Sequence, residues 1–407
     1  MLDIKFIRQN PEKIKEGCRK KQVNVDIDRL LEIDKKRRTY LQEVEALRAA
    51  QNKLGKNEIE KAKEIKSKIK EIEPELKRIE KEFNELMLQI PNLPFDEVPE
   101  GKDEEENVVL REVGEKPQFD FPFKDYLEIS QKLDLIDVKR AAKVSGSRFG
   151  FLKNEAVLLE FALINFVFEE LKKERFIPVI PPVMIKPEMM EGMGYVERGR
   201  DEIYFIEKDN LYLVGTSEQV IGPMHSGEIF ERKDLPKRYV AFSSCFRREA
   251  GSYGKDTRGI LRVHQFDKIE MFIFCEPSDS KKEHEFLLSL EEKFMQALDI
   301  PYRVIQICTG DLGDPAAAKY DIEAWIPSEN RYRETHSTSN CTDFQARRLN
   351  IKYRDEEGKL AFVHTLNGTG LAIGRTLIAI IENYQQKDGS VKVPEVLQKY
   401  TGFDKIG

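Results

Sequence analysis

Ile65, Ile69, Ile72, Leu76, Ile79, Phe83, Leu86 and Ile90 follow one another at alternating steps of four and three residues. That spacing is a heptad seam, which runs along one side of an α-helix and needs a second helix to cover it. Residues 27–54 supply one, with Ile27, Leu30, Leu31, Leu41, Val44, Leu47 and Leu54. The break at Gly55-Lys56-Asn57 is short, so the two helices should fold back as an antiparallel hairpin. At about 1.5 Å per residue each would run roughly 40–50 Å, too long to sit inside one globule, so the hairpin is expected to project as an arm. Pro74 falls inside the second helix, where a proline costs about 3 kcal/mol or kinks the axis. The seam keeps its register through Pro74, so a kinked but continuous helix is expected.

Charge is distributed unevenly along this pattern. The whole chain of 407 residues has a net charge of −6, which alone gives no hint of a polyanionic partner. Residues 35–70, however, carry twelve Lys/Arg against five Glu, a net of +7, which leaves −13 on the rest. The cations Lys35, Lys36, Arg37, Arg38, Lys53, Lys56, Lys61, Lys63, Lys66 and Lys68 admit two readings. They are either a solvated helical face or a basic tip that binds a polyanion by releasing its counterions.

Other classes are excluded by composition. The apolar share of 40% supports a sizeable core, which rules out global disorder. No window approaches ~18 uncharged apolar residues, so no membrane span is expected. Asp3, Lys5, Arg8 and Glu12 interrupt the first residues, so no secretory signal is expected. Five cysteines, never in a C-x-x-C pair, suit buried thiols in a reducing cytosol. The histidines form no ligand pattern, which leaves a structural zinc site unsupported.

Residues 91–106 hold three prolines, a glycine and an acidic run and read as a linker. The expected division is an N-terminal domain over 1–105 and a second domain over 106–407. In the second, a helix fits 155–173, followed by a proline-rich segment, 176–185, that belongs on a sheet edge or at an interface. A hairpin fits 203–206 with 211–215. Strands fit 239–248, 261–274, 302–308, 320–326 and 360–366, and helices fit 281–298, 340–349 and 370–385. Consecutive strands on short turns predict a mainly antiparallel sheet flanked by helices, an α+β fold.

Three segments carry candidate chemistry. In residues 246–270, alternation puts Arg247 and Glu249 on one strand face, and Arg262, His264, Phe266, Lys268 and Glu270 on one face of the next. Cross-strand ion pairing on a solvated face would explain the charges. Phe266 between them suits a stacking platform beside phosphate-binding arginines. In residues 334–348, Glu334, His336 and Thr338 would share a face, and Ser339 or Asn340 could cap the next helix. A carboxylate beside a hydroxyl there also suits Mg²⁺. In residues 366–382, a glycine-rich turn leads into an apolar helix with Arg375 in its first turns. A buried arginine needs an anion, either a structural partner or a phosphate.

Taken in order, these segments resemble the motifs of class II aminoacyl-tRNA synthetases, and with the arm the whole chain is similar to the seryl-tRNA synthetases of bacterial type. Residues 246–252 with 262–266 resemble motif 2, residues 367–375 motif 3, residues 173–182 motif 1, and Thr216-Ser217-Glu218 the family's serine-binding loop. The resemblance implies a serine–tRNA ligase that uses ATP and Mg²⁺, and a homodimer in the cytoplasm. Arg247, Arg375 and Glu334 would be catalytic. Arg247, Arg248, Glu249, Arg262, Phe266, Glu334, Ser337 and Arg375 would bind ATP, with Glu334 and Ser337 on the metal. Thr216, Ser217, Glu218, Arg247, Glu270, Asn367 and Thr369 would surround serine. The arm cations would bind tRNA, that for serine, with that for selenocysteine also admitted by the resemblance, and the loop 252–258 would close over ATP. This chain has Tyr126 where the family commonly has histidine, His336 before Ser337, and Thr369 where serine is frequent. Two alternatives share some of these features. A paralogue that loads a carrier protein would lack the long arm, and a non-catalytic scaffold would not keep Arg247, Glu249, Arg262, Glu270, Glu334 and Arg375 together.

Overall fold

The computed structural model describes residues 1–55, 57–197, 199–250, 256 and 258–407. Lys56, and residues 252–255 and 257 of the expected closing loop, lie outside the described residues. The chain divides into two compact units, Met1–Leu93 and Pro94–Gly407, ahead of the expected division at 105/106.

The first unit opens with two short helices, α1 (Ile4–Gln9) and α2 (Pro11–Lys20), which the periodicity did not reveal. The arm follows as α3 (Ile27–Asn52) and α4 (Ile59–Gln89). Asp26 caps α3 by accepting from the Arg29 N–H at 2.8 Å. The expected seam is there: Ile69, Leu76, Ile79, Phe83 and Ile90 are buried, as are Ile27, Leu30, Ile33 and Val44 of α3. Ion pairs Arg29–Glu82 at 2.6 Å and Arg48–Glu73 at 3.5 Å join the helices, one pair nearer the base and one nearer the turn, as antiparallel pairing requires. Helix α4 runs unbroken through Pro74, whose ring is on the exposed side. Between residues 45 and 68 no described residue is fully buried, so the seam thins toward the turn.

The expectation of one basic tip needs correction. Lys35–Arg38 lie in the first half of α3, where Arg37 faces Glu80 and Phe83, roughly 25 Å along the helix from Lys53. Arg37 is half-buried, with its guanidinium carbon 4.7 Å from the Phe83 ring centre, so it is part of the arm's packing. Arg38 pairs with the buried Asp34 at 3.0 Å.

The second unit is built on an eight-stranded sheet. In chain order its strands are β1 (Val108–Val113), β2 (Ile177–Val179), β3 (Lys237–Phe246), β4 (Gln265–Cys275), β5 (Tyr302–Gln306), β6 (Ala318–Ile326), β7 (Arg331–Asn340) and β8 (His364–Ala372). Their spatial order is β1-β5-β6-β7-β8-β4-β3-β2, antiparallel except for the β2–β3 pair. Pro178 is on β2, an edge, where its missing donor costs no ladder bond. Helices α5 (Tyr126–Leu133), α6 (Glu155–Lys173), α7 (Ser280–Ala297) and α8 (Ile373–Asn383) share one apolar cluster with the sheet, including Leu163, Phe166, Phe294, Leu377 and Ile380. The expected linker is packed in its second half. The Phe95 N–H donates to Ala317 O at 2.9 Å, and Val98 is buried with Ile305 and Ile307.

Candidate active site

The site lies on the sheet face opposite α7, at the centre where β4, β7 and β8 adjoin. Glycines keep the two sides apart. A Cβ at Gly368 would sit 3.2 Å from Glu291 Oε1 of α7, and one at Gly370 would sit 2.8 Å from Ile269 Cγ2. The intervening Asn367 and Thr369 face the other way, into a cavity of about 360 Å³. The segment read as a glycine-rich turn is therefore the end of a central strand, and the helix begins only at Ile373. Its glycines serve close packing of helix and strand rather than a turn.

One irregularity decides which residues of β7 reach the cavity. The β6–β7 register shifts between Ile322↔His336 and Glu323↔Glu334. A bulge of this kind moves the following side chains to the other face. Glu334 thereby lines the cavity with Ser337 and Ser339, which strict alternation would separate from it. His336 and Thr338 point into the core, contrary to the expectation that they share Glu334's face. His336 is fully buried against the Thr335 hydroxyl at 2.9 Å, and burial pushes its imidazole down to about 4. Asn340 ends β7 rather than starting a helix; its Oδ1 accepts from the Thr342 N–H, and the helix starts at Phe344.

The motif on β3 and β4 is likewise re-sorted. Arg247 and Glu249 follow β3, and Arg262 precedes β4, so all three are in loops rather than strands. They still converge. Arg247 reaches Gly215 O at 3.2 Å, and its guanidinium carbon is 5.1 Å from the Phe266 ring centre. Arg262 meets Glu249 at 3.4 Å. Glu249 adopts φ +52°, a left-handed conformation that costs an L-residue about 1–2 kcal/mol and marks a site where geometry outweighs local preference. His264 turns away, with Nδ1 at 3.0 Å from Arg247 O, while Phe266, Lys268 and Glu270 line the cavity as alternation requires.

Of the residues expected to bind ATP or serine, Arg248 and Ser217 are not brought to the cavity. The Arg248 guanidinium is near the Tyr204 ring, and Ser217 is fully buried, its Oγ without a hydrogen-bond partner among the described residues. The others line it: Thr216, Glu218, Arg247, Glu249, Arg262, Phe266, Glu270, Glu334, Ser337, Asn367, Thr369 and Arg375.

Charge within the cavity is organised into two ends. At one, Arg375 lies 3.2 Å from Glu334. Partial desolvation at the cavity wall opposes ionisation of Glu334, whose side chain still meets solvent, but Arg375, Lys319 and Arg247 outweigh it and hold the carboxyl down to about 2. At the other end Glu218, Glu270 and Lys268 are buried together. Lys268 is ion-paired with Glu270, and the Tyr195 hydroxyl donates to Glu218. Burial and the nearby Glu270 push Glu218 up to about 8, and burial pushes Glu270 up as well against the pull of Lys268, so the two carboxyls together resist carrying two charges.

Sequence reasoning missed Tyr195, Lys268's buried pairing, Lys319 and Glu291. Lys319 lines the cavity and pairs with Asp321 at 3.1 Å. Glu291 is fully buried beneath Gly368, and burial, with Asp321 and Glu270 nearby, pushes its carboxyl well above the usual range. A glutamate in the apolar stripe of α7 was a signal available in the sequence; Tyr195 comes from a distant loop and left none.

Comparison with known proteins fits this geometry. Residues 1–94 match the seryl-tRNA synthetase N-terminal domain, and residues 204–384 match the tRNA synthetase class II core domain (G, H, P, S and T). The chain is 48% identical over 418 residues to the serine–tRNA ligase of Acidothermus cellulolyticus, covering 100% of this chain and 99% of that one. It is 49% identical over 420 residues to that of Finegoldia magna, with 100% of both covered. Among solved structures, seryl-tRNA synthetase from Pyrococcus horikoshii, complexed with ATP, superposes with a TM-score of 0.92 at 42% identity over 100% of this chain and 99% of that one. With relatives this similar over its full length, the chain belongs to the seryl-tRNA synthetase family, ligases that activate serine and join it to tRNA.

Proposed function

We propose that both steps of serine–tRNA ligation run in the central cavity, with ATP toward the Arg262–Arg375 end and serine toward the Glu218–Glu270 end. What supports this most is the β7 bulge, which sets Glu334 and Ser337 beside Arg375 in the cavity that also holds Arg247 and Phe266. Phe266 stacks on adenine, Glu249 accepts from its amino group, and Arg262 and Arg375 hold the outer phosphates. Thr216, Glu218, Glu270, Asn367 and Thr369 surround the serine ammonium and hydroxyl.

Arg247 holds the serine carboxylate against the α-phosphate. The carboxylate is already ionised, so its oxygen attacks the α-phosphorus without a general base. The bond to pyrophosphate breaks, giving seryl-adenylate. The 3′-terminal hydroxyl of tRNA then attacks the seryl carbonyl, the bond to the phosphate oxygen breaks, and AMP leaves with the hydroxyl proton passing to its phosphate. The chain's contribution is orientation and preorganised positive charge, the effects that dominate such transfers. A site that hydrogen-bonds a hydroxyl rejects analogues lacking one by a large factor, because its polar groups would be left unpaired.

The donor set at Glu334 and Ser337 fits Mg²⁺: a carboxylate kept ionised by Arg375 and a hydroxyl, both hard oxygen ligands. Among the described residues no cluster of three or more His, Cys, Asp or Glu could hold a metal, so the remaining ligands would be phosphate oxygens and water. When bound, the ion would supply charge neutralisation on the phosphates.

A homodimer is supported by apolar side chains left exposed together on α6 and around β2, Leu158, Phe161, Ile177 and Ile180. Five buried thiols outside disulfides suit a cytoplasmic location, and no described helix is long and apolar enough to cross a membrane. Serine-dependent ATP–pyrophosphate exchange, followed by transfer of labelled serine to tRNA, tests the whole scheme. Exchange without transfer would point to carrier loading, and no exchange to a scaffold.

A further inference from the structure

Tyr126 stands outside the cavity yet grips the segment that carries Arg262. Its hydroxyl accepts from the Ile260 N–H at 2.9 Å and reaches Arg258 O at 3.5 Å. Its own N–H donates to Glu382 Oε1 at 3.0 Å. Glu382 is fully buried on α8, where it also takes the Ser328 N–H and hydroxyl at 2.9 and 2.8 Å. The same helix carries Arg375, whose Nε reaches Leu261 O at 3.4 Å. Ile260 and Leu261 are thus held at two consecutive points, one from Tyr126 and one from Arg375, and Arg262 is the next residue.

Gly259 fits this clamp closely. It adopts φ +73°, and a Cβ there would lie 1.7 Å from the Tyr126 hydroxyl oxygen. Only glycine allows the hydroxyl to come so near the backbone. Tyr126 is itself buried, and burial pushes its phenol up to about 12, so it remains a neutral donor and acceptor throughout the working range of pH. Ile260 is also buried, so its N–H has no solvent to replace the phenol.

We infer that Tyr126 is a positioning residue for ATP: it fixes the backbone of residues 259–261 so that Arg262 meets the outer phosphates. This rests on the proposed role of Arg262 and extends it to a residue that touches no substrate. Removing the hydroxyl leaves a buried N–H unsatisfied and releases one of the two grips, while the ring still fills its place in the core.

The test is steady-state ATP–pyrophosphate exchange with Tyr126→Phe, Arg262→Ala and the double variant, with thermal melting of each. Tyr126→Phe should raise the KM for ATP roughly 5–10-fold and leave the KM for serine within about two-fold. In the Arg262→Ala background the same change should add little, because the group it positions is already gone. Gly259→Ala crowds the same hydroxyl and strains the φ +73° backbone, so it should also raise the KM for ATP; if Tyr126→Phe folds poorly, its KM values taken well below its Tm decide the matter. An unchanged KM for ATP in Tyr126→Phe beside an impaired Arg262→Ala would overturn the inference and leave the role of Arg262 standing. Equal losses for both substrates with a lowered Tm would also overturn it, as the mark of a residue that only supports the fold. If Arg262→Ala itself binds ATP normally, the assignment of Arg262 fails and the inference falls with it.

Discussion

The arm and the cavity use the same residue types, lysine, arginine and glutamate, in opposite ways. On the arm the charges are outside, with the buried Asp34 the exception. Lys61 and Lys63 pair with Glu58 and Glu60 at 2.8 and 2.9 Å, three residues apart on the surface, where such pairs contribute little. In the cavity the charges turn onto one another: Glu334, whose side chain still meets solvent, faces Arg375, and the buried Glu270, pushed up by burial, is drawn back by Lys268. Surface charges act as a sum and are screened by salt, whereas buried ones act singly and shift one another's protonation. The arm should therefore be tolerant residue by residue and sensitive to ionic strength, and the cavity the reverse.

The sharpest way to break this contrast is Arg247→Ala. Serine-dependent exchange should fall roughly 10²–10³-fold, the range seen when one preorganised donor is removed. Binding of tRNA should be nearly unchanged. A variant that exchanges normally would remove Arg247 from the chemistry; one that also loses tRNA would mean the two regions are not separable.

The second effect is on serine binding as a function of pH. Glu218 is raised to about 8 in the free protein, while Glu270 already has Lys268 as its counter-ion. The serine ammonium favours the ionised carboxylate, so the Glu218 proton must leave when serine binds. Below pH ~8 the affinity for serine should rise about tenfold per pH unit and level off above it. Calorimetry in buffers of different ionisation enthalpy should find close to one proton released per serine at pH 7. No release would mean that Glu218 stays neutral beside the ammonium.

These two predictions also mark how much was legible in the sequence. Periodicity revealed the arm and most strands, because one-sided burial imposes its period on apolar residues. The site residues were legible as a resemblance, but their faces were not. The β7 bulge reverses the alternation after Glu334, and the glycines of β8 read as a turn when they are in a central strand. Both failures have one cause: a local pattern says nothing of what the neighbouring strand or helix demands. Glu218's proton was beyond reach for the same reason, since Tyr195 and Glu270 approach it only in three dimensions.

A third, smaller effect separates the two ends of the arm. Lys61, Lys63, Lys66 and Lys68 are exposed near the turn, whereas Lys35, Lys36 and Arg38 are exposed nearer the base. Replacing the four turn-proximal lysines by Ala should weaken tRNA binding and reduce the magnitude of the salt slope by roughly 3, if each faces about one phosphate. Replacing the three basal cations in the same way measures whether tRNA reaches that far. Equal losses would extend the footprint over the arm's length. A loss confined to the basal set would put the contact away from the turn altogether.

The smallest effect expected on catalysis is that of Pro74→Ala, and it tests whether the arm is as independent of the cavity as the comparison holds. Pro74 is exposed, in the middle of a helix that continues on both sides of it. A proline there lacks the N–H that would bond one turn back, and alanine restores it. The gain should be at most about 3 kcal/mol in that helix, and it falls in the stretch where Leu76 and Ile79 still supply buried contacts but the turn beyond does not. Hydrogen exchange should therefore slow in residues around 70–78 of the variant, and ATP–pyrophosphate exchange should keep its rate. A change in the exchange rate would show that the backbone at Pro74 is felt in the cavity, which no charge argument anticipates. An unchanged hydrogen-exchange pattern would mean that the seam, and not the backbone bond, limits opening of the helix, since burial of Ile79 and Phe83 would then outweigh one restored hydrogen bond.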